Sequence, residues 1–525
     1  MNISQILRER AEENPNKTAI RDPKSRIGIC FKDLLDRSEK LAELFTQNGI
    51  HPGDGVLLFV PMSLNLYLIL TALFLIQAAG VFIDPSFTKE QIQSCSALFQ
   101  CDTLIGSSAA HVLSLFSPSL RKIKTRFTTG SIPFPGAIPI QKAAHCKPFV
   151  QKEETADSAP ALITFTSGST GKPKGTVRTH GFLFSQHQAT ASTFKIPRED
   201  IVLTNLPIFL LSFLASGFTC VIPDADPRRP GEINPDPVIR QIALEKVSSI
   251  LAPPAFLDRL VQRQKQKPFT FENITSIYTG GGPVLPRNLT ELQNLAPKAE
   301  ITAVYGSTEA EPIAHLEKKN ISIEDQKKMG SGNGLLAGHP VEKIQIVILQ
   351  DTWGKPIPNW SPQEFSERLL PPLKKGEIVV SGPHVLPGYL NGIGNEETKF
   401  RVGEAIWHRT GDAGCLDNSG RLWLLGRCAA KIWDGEKSIY PFEVEYAAWE
   451  FEEVRHAAFI FNEKKRILIL EPYEGQSLPN LTTLQEKLKS APVDEIKIVK
   501  KIPMDKRHNT KIDYTALQKQ LRVMG

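Results

Sequence analysis

The sequence predicts an α/β protein: a large N-terminal domain of α/β layers with a β-rich subdomain, followed by a small α+β C-terminal domain. Three observations predict it. Strand-like apolar runs alternate with helix-like runs over most of the chain. One continuously apolar helix stands between two apolar strands, as in a layer covered on both faces. After Gly426-Arg427 the chain turns Lys-rich and carries short strands of its own.

The elements follow in order. The N-terminus, MNISQILRERAEENPNK, is polar and amphipathic and lacks the apolar core of a signal peptide. Residues 65–83 are long and apolar enough to resemble a membrane span. Pro61 and Gly80 punctuate them, however, and Asp84-Pro85 closes them. They read as a strand at 56–60, a buried helix at about 63–78 and a strand at 81–83, with no transmembrane span. Further strands are expected at 162–165, 220–222, 249–251 and 301–305, with helices at 236–246 and 254–265. KIQIVIL, at 343–349, opens the β-rich part. Beyond Lys431 the pattern gives strands at 457–461 and 466–470 and a helix at 484–489. The domains are therefore 1–429 and 430–525.

Composition narrows the class. The 525 residues are 41% apolar, ordinary for a globular protein. The net charge of +6 reads as spread along the chain without a basic block, which argues against nucleic-acid binding. Seven scattered cysteines without CxxC spacing fit reduced thiols in a cytoplasmic protein and argue against structural zinc.

Thr164–Thr176 reads TFTSGSTGKPKGT. Glycines let backbone N–H groups turn toward an anion, hydroxyls add donors, and lysines add charge. This describes a phosphate cradle, though not a Walker A loop, whose spacing it lacks. Taken alone, the loop fits a flexible surface connection equally well.

The residue order carries more. Ser167-Gly-Ser-Thr-Gly-Lys-Pro-Lys-Gly175 resembles the phosphate-binding signature of the adenylate-forming superfamily: acyl-CoA synthetases, nonribosomal adenylation domains and firefly luciferase. Gly280-Gly-Gly-Pro283 looks like its adenine-bordering turn, and Tyr305-Gly-Ser-Thr-Glu309 resembles its YGxTE motif. Gly376-Glu-Ile378, Gly388-Tyr389, Trp407-His-Arg-Thr-Gly-Asp412 and Leu425-Gly-Arg427 follow in family order. Thr510-Lys511-Ile512-Asp513 stands where the family carries its GK[IV] lysine. The resemblance spans residues 160–513.

It implies an ATP-dependent, AMP-forming ligase that joins a carboxylic acid to the α-phosphate of ATP and releases pyrophosphate. A carboxylate approaching a polyanion needs charge neutralisation and alignment. By resemblance, Ser167, Gly168, Ser169, Thr170, Gly171 and Lys174 hold the β- and γ-phosphates. Gly281, Gly282, Pro283, Tyr305 and Gly306 border the adenine. Asp412 takes the ribose hydroxyls, with Arg427 nearby. Thr308 donates to the α-phosphate, Glu309 holds Mg²⁺ with Thr170 beside it, and Lys511 reaches in from a mobile small domain. The catalytic set is thus Lys511, Thr308 and Glu309. Each alone has a plainer reading: a solvated lysine, a turn aspartate, a core tyrosine.

The pattern also departs from the family. Many relatives rotate the small domain and pass the acyl group to a thiol, usually of CoA. Their hinge text resembles GRxxDxIKxxG. Here Ala430 stands at the hinge and Trp433 replaces the usual lysine, which weakens support for a thioester step. The β-lactone synthetases of bacterial long-chain olefin biosynthesis share these departures. They end in a similar RHNxKI and resemble this chain at 407–427 and at Asp224-Ala-Asp-Pro-Arg-Arg-Pro230. In that branch the substrate's own β-hydroxyl attacks the adenylate and closes a four-membered ring.

The segment 201–222 contains no Asp or Glu, which argues against an amino-acid substrate whose ammonium needs a partner. Its Phe209, Phe213 and Phe218 suit an aliphatic chain or a plain core alike. His180, His315 and His408 receive no role. Three readings result. The leading one is activation of a fatty-type, 3-hydroxylated acid with closure to a β-lactone. The second is a fatty acyl-CoA synthetase using CoA. The third is a nucleotide-binding protein without catalysis. Contacts with other lipid-biosynthesis enzymes belong to the leading reading.

Overall fold

The computed structural model describes residues 3–23, 27–83, 87–130, 132–151, 155–167, 173–197, 199–475, 481–488, 493–505 and 511–524. The chain divides into two compact units. The first comprises residues 1–227, 236–251 and 383–395; the second comprises 228–235, 252–382 and 396–525.

The first unit holds a seven-stranded sheet among the described residues. Its order is Ile138–Pro139, Thr125–Thr128, Thr103–Gly106, Gly55–Phe59, Ala79–Phe82, Pro160–Ser167 and Pro173–Thr179. Every pairing is parallel except the last hairpin. Neighbouring parallel strands demand helical crossovers, and the helix Leu64–Leu75 supplies one. All its residues but Asn65 are buried, as expected for an apolar helix inside a two-sided layer. It ends three residues short of the sequence estimate because Gln77 takes a left-handed φ of 59°. Gln77 N–H then donates to Phe74 O, and Ala78 N–H to Leu73 O at 2.9 Å, the Schellman arrangement.

A second group of strands in this unit runs Ser249–Leu251, Ile201–Thr204, Thr219–Val221, Thr18–Asp22 and Ile27–Cys30. The acid-free segment noted above forms strand, helix Pro207–Ala215 and strand. Phe209, Phe213 and Phe218 are all buried, and Phe194 packs on the first two. Its rings fill a core.

The second unit is largely antiparallel. Ser276–Gly280 pairs in parallel with Glu300–Ser307. Antiparallel neighbours then follow: Ala310–Glu317, Leu335–Pro340, Leu422–Arg427, Ala405–Leu416, Gly376–Ser381 and Gln345–Leu349. This is the β-rich part foreseen from residue 343. Beyond Arg427 the same unit carries a three-stranded sheet of Val454–Asn462, Lys465–Pro472 and Glu495–Ile498. The helix expected at 484–489 is observed at Leu481–Lys487. All seven cysteines are free thiols. Among the described residues, no helix is long and apolar enough to cross a membrane.

Candidate active site

Strand ends in the second unit converge on one cavity of about 240 Å³. Its lining includes Gly281, Gly282, Pro283, Tyr305, Gly306, Asp412, Arg427 and Lys511. The sequence-predicted adenine, ribose and lysine positions are thus brought to one place.

Backbone chemistry explains the first wall. Gly280 is the last residue of its strand, and a Cβ there would lie 2.2 Å from the Val304 carbonyl oxygen. Only glycine allows that approach. Gly281 follows with φ +88°, turning the chain out of the sheet. Tyr305 lies near the end of the adjacent strand Glu300–Ser307. Thr308 and Glu309 then form a two-residue turn before the antiparallel strand Ala310–Glu317.

The opposite wall comes from the hairpin Ala405–Leu416 and Leu422–Arg427, whose register places Asp412 directly across from Arg427. Asp412 Oδ1 pairs with Arg427 Nη1 at 3.2 Å. Asp412 Oδ2 accepts the Tyr305 hydroxyl at 2.7 Å. The Asp412 charge holds the Arg427 guanidinium above its ordinary range. Burial, then Asp412, keeps the Tyr305 phenol protonated well beyond the usual range. Arg409, three residues earlier on the same strand, is fully buried. It makes a bidentate pair with Glu377 at 2.7 Å for each oxygen and lies over Trp353 at 5.2 Å. Thr410 Oγ1 donates to Ile378 O at 2.9 Å, and Asp412 N–H donates to Thr410 Oγ1 at 3.1 Å. These bonds fix the backbone from which Asp412 projects.

Lys511 is held by its own backbone. Its N–H donates to Asp505 Oδ1 at 2.8 Å, and Asp505 N–H donates to Lys511 O at 2.7 Å. Desolvation, reinforced by the Arg427 charge, lowers the Lys511 ammonium pKa; Asp412, Asp505 and Glu309 partly oppose this. One lysine and one arginine thus share the field of two or three carboxylates.

Sequence reasoning missed Lys399. It is buried, stands opposite His408 in the strand pair Lys399–Val402 and Ala405–Leu416, and desolvation lowers its pKa to about 7 against the pull of Glu309. His408 Nδ1 contacts Thr398 O at 3.2 Å, and burial with Lys399 pushes its imidazole down to about 3. A lysine beside Phe400 has no periodic signature, so only the ladder register exposes it. His180 is buried and neutral, lowered to about 4 by burial, with no hydrogen-bond partner to either ring nitrogen among the described residues.

Two other predicted positions lie in the first unit. Ser167 ends the strand Pro160–Ser167, and Lys174 is the second residue of the strand Pro173–Thr179, where it is buried. Lys174 lies 5.7 Å from the Tyr389 ring centre, and a Cβ on Gly394 would strike its side chain at 2.7 Å. Gly168, Ser169, Thr170 and Gly171 fall outside the described residues, as does Thr510.

Known proteins resemble this chain over most of its length. The AMP-binding enzyme family matches residues 7–390. The chain is 28% identical to an olefin beta-lactone synthetase of Stenotrophomonas maltophilia, over 97% of this chain and 96% of that one. Its fold is similar to that of O-succinylbenzoate coenzyme A synthetase from Bacillus subtilis in complex with ATP and magnesium ion. There the TM-score is 0.77 at 23% identity, covering 98% and 99% of the two chains. An amide bond synthetase from Marinactinospora thermotolerans gives a TM-score of 0.80 at 19% identity, covering 99% of each. With the family matching nearly three-quarters of its length, the chain belongs to the AMP-binding enzymes, the ATP-dependent, AMP-forming ligases.

Proposed function

We propose that the enzyme activates a fatty-type, 3-hydroxylated carboxylic acid with ATP and then closes it to a β-lactone. In the first step a carboxylate oxygen bonds to the α-phosphorus, and the bond to pyrophosphate breaks. In the second, the substrate's β-hydroxyl oxygen attacks the acyl carbon, AMP leaves, and the hydroxyl proton is released. The observation that supports the first step most directly is the convergence of Lys511, Tyr305, Asp412 and Arg427 on one cavity. The near full-length likeness to an olefin beta-lactone synthetase supports the second.

In this reading Lys511 bridges the attacking carboxylate and the α-phosphate, and its cation offsets the charge that builds there. Asp412 accepts from the ribose, with Arg427 holding the carboxylate in place. Tyr305 and the Gly281-Gly282-Pro283 turn, with Gly306, border the base. Ser167, Gly168, Ser169, Thr170, Gly171 and Lys174 take the β- and γ-phosphates, and Thr308 takes the α-phosphate. Magnesium is a hard cation that prefers carboxylate, hydroxyl and phosphate oxygen, and when bound it neutralises phosphate charge. Glu309 fits it by donor chemistry, because a carboxylate on the two-residue turn between Ser307 and Ala310 offers the hard oxygen that the ion takes. Thr170 would be its companion ligand. We assign Lys511 to a mobile domain spanning 430–525, with 1–429 as the large domain. The free thiols support a cytoplasmic location, and the leading reading includes contact with other lipid-biosynthesis enzymes.

A second reading, acyl transfer to CoA, draws support from the likeness to a coenzyme A synthetase. Against it stand Ala430 at the hinge and Trp433, which is exposed where relatives place lysine. The two separate in one assay. The purified enzyme should release AMP and pyrophosphate from ATP and a 3-hydroxy acid without CoA, giving a product lighter than the acid by one water. Strict dependence on CoA would sink the lactone reading. A series of acids of increasing length, read by AMP release, then defines the substrate.

A further inference from the structure

Residues 103–152 contain seven Lys or Arg and no Asp or Glu. The rest of the chain carries 55 basic and 56 acidic residues, so the whole excess of positive charge lies in this stretch. The charge is therefore not evenly spread, as the sequence reading had it; four of the seven basic residues, Arg121, Lys122, Lys124 and Arg126, fall within six positions.

The same stretch contains a helix turned inside out. In Ser108–Leu115 the buried residues are His111 and Ser114, both polar. The exposed ones are Val112 (47%), Leu113 (71%) and Leu115 (46%), followed by Phe116 (67%). A helix on a water-soluble surface normally does the reverse. Polar bonds fix this orientation. Burial keeps His111 neutral, and its Nε2 lies 2.9 Å from the Phe127 carbonyl. Arg126 is buried beneath, donating to Ser114 Oγ and to Leu120 O, each at 2.8 Å. Rolling the helix over would strand these groups unpaired, so the apolar face stays outward. Ser108 Oγ donates to the carbonyl of Ile132, itself 71% exposed, which widens the apolar patch. Arg121, Lys122 and Lys124 follow immediately and are exposed.

We propose that this face docks on an anionic lipid bilayer. Its apolar helix side chains enter the acyl-chain boundary while Arg121, Lys122 and Lys124 meet the headgroups. Exposed apolar helix residues followed within a few positions by exposed basic ones match an interfacial membrane anchor. A protein partner is the less fitting occupant. The patch is aliphatic with one Phe and lacks the Tyr and Trp anchors enriched at protein interfaces. The proposal stands independently of the reaction reading. It would place the enzyme where long-chain acids partition.

The test uses the purified full-length chain with phosphatidylcholine vesicles, with and without phosphatidylglycerol, scored by co-sedimentation. Binding to the anionic vesicles should exceed binding to neutral ones by about 10-fold and weaken at high salt. The double variant Leu113→Ser/Phe116→Ser, and separately the triple variant Arg121→Gln/Lys122→Gln/Lys124→Gln, should each lower it by about 10-fold. Thermal melting of both variants should match the parent, since every changed side chain is exposed. As a second readout, Phe116→Trp should show fluorescence quenching by brominated lipids. Absence of vesicle binding, or equal binding by parent and Leu/Phe variant, would overturn the proposal. So would light scattering that shows a parent oligomer dissolved by the Leu/Phe change, since the face then belongs to a protein.

Discussion

The Tyr305 phenol donates to Asp412 Oδ2 at 2.7 Å, while Asp412 Oδ1 faces Arg427 Nη1 at 3.2 Å. Both carboxylate oxygens thus have a partner within the protein that fixes their orientation. A hydrogen bond to a charged acceptor contributes about 1.5–3 kcal/mol, which converts to roughly 10–100-fold in rate where the geometry matters. Tyr305→Phe should lower kcat/KM for ATP by about 10-fold, with the loss mainly in KM. Asp412→Asn should cost about 10²–10³-fold, because it removes both the anion and one acceptor. ATP–pyrophosphate exchange measures both; a Tyr305→Phe enzyme indistinguishable from the parent would show that the phenol does not position the carboxylate.

Lys511 gives a pH prediction. In the role proposed for it Lys511 must be protonated to act, and burial with Arg427 lowers its pKa below the ordinary 10.5. Adenylation should therefore fade as pH rises, with its alkaline limb at lower pH than a free lysine would give. Lys511→Ala should slow adenylation by about 10²–10³-fold and abolish that limb. A limb unchanged in the variant would assign it to another group.

Glu445, in the helix Phe442–Trp449, supplies a stability prediction. It is buried, accepts from Phe459 N–H at 2.8 Å and from the Tyr514 hydroxyl at 3.2 Å, and burial raises its pKa from 4.5 to about 8. The fold thus holds a proton that the unfolded chain releases above pH 4.5. This contribution to stability is fully present below pH 4.5 and is lost as pH rises through about 8. Glu445→Gln should flatten the decline of Tm between about pH 5 and 8. An equal decline in the variant would exonerate this carboxyl.

Arg409 and Glu377 form a buried pair whose halves depend on each other. Removing one partner leaves an uncompensated buried charge, at about 3–5 kcal/mol. Glu377→Ala and Arg409→Met should each lower Tm sharply. Combining Glu377→Leu with Arg409→Met should recover much of the loss. Additive losses in the double variant would show that the pair acts separately.

Much of this was legible in the sequence, for identifiable reasons. Alternating apolar runs marked the strands, because each buried strand must be apolar along its length. The ordered motifs marked the cavity, since Gly281, Tyr305, Asp412, Arg427 and Lys511 all line it. Other features were hidden. The strand Pro173–Thr179 reads as loop from its Pro and Gly, yet it pairs at the end of its sheet, where Pro is tolerated. Gly175 fits there because a Cβ would meet Leu390 at 3.0 Å and Phe165 at 3.1 Å. Lys399 was invisible because register across a hairpin is not a local property. The helix Ser108–Leu115 was unreadable because its polar side faces inward, opposite to what apolar patterning assumes.

The Thr308–Glu309 corner has a consequence of its own. It joins two paired strands directly, with Ser307 opposite Ala310. The register already shifts between Tyr305 and Ser307, beside this corner. Lengthening it by a single residue would swing the carboxylate away and disturb the pairing on both sides. Inserting a residue here would move Glu309 itself, whereas exchanging its side chain would leave the two strands paired as they are.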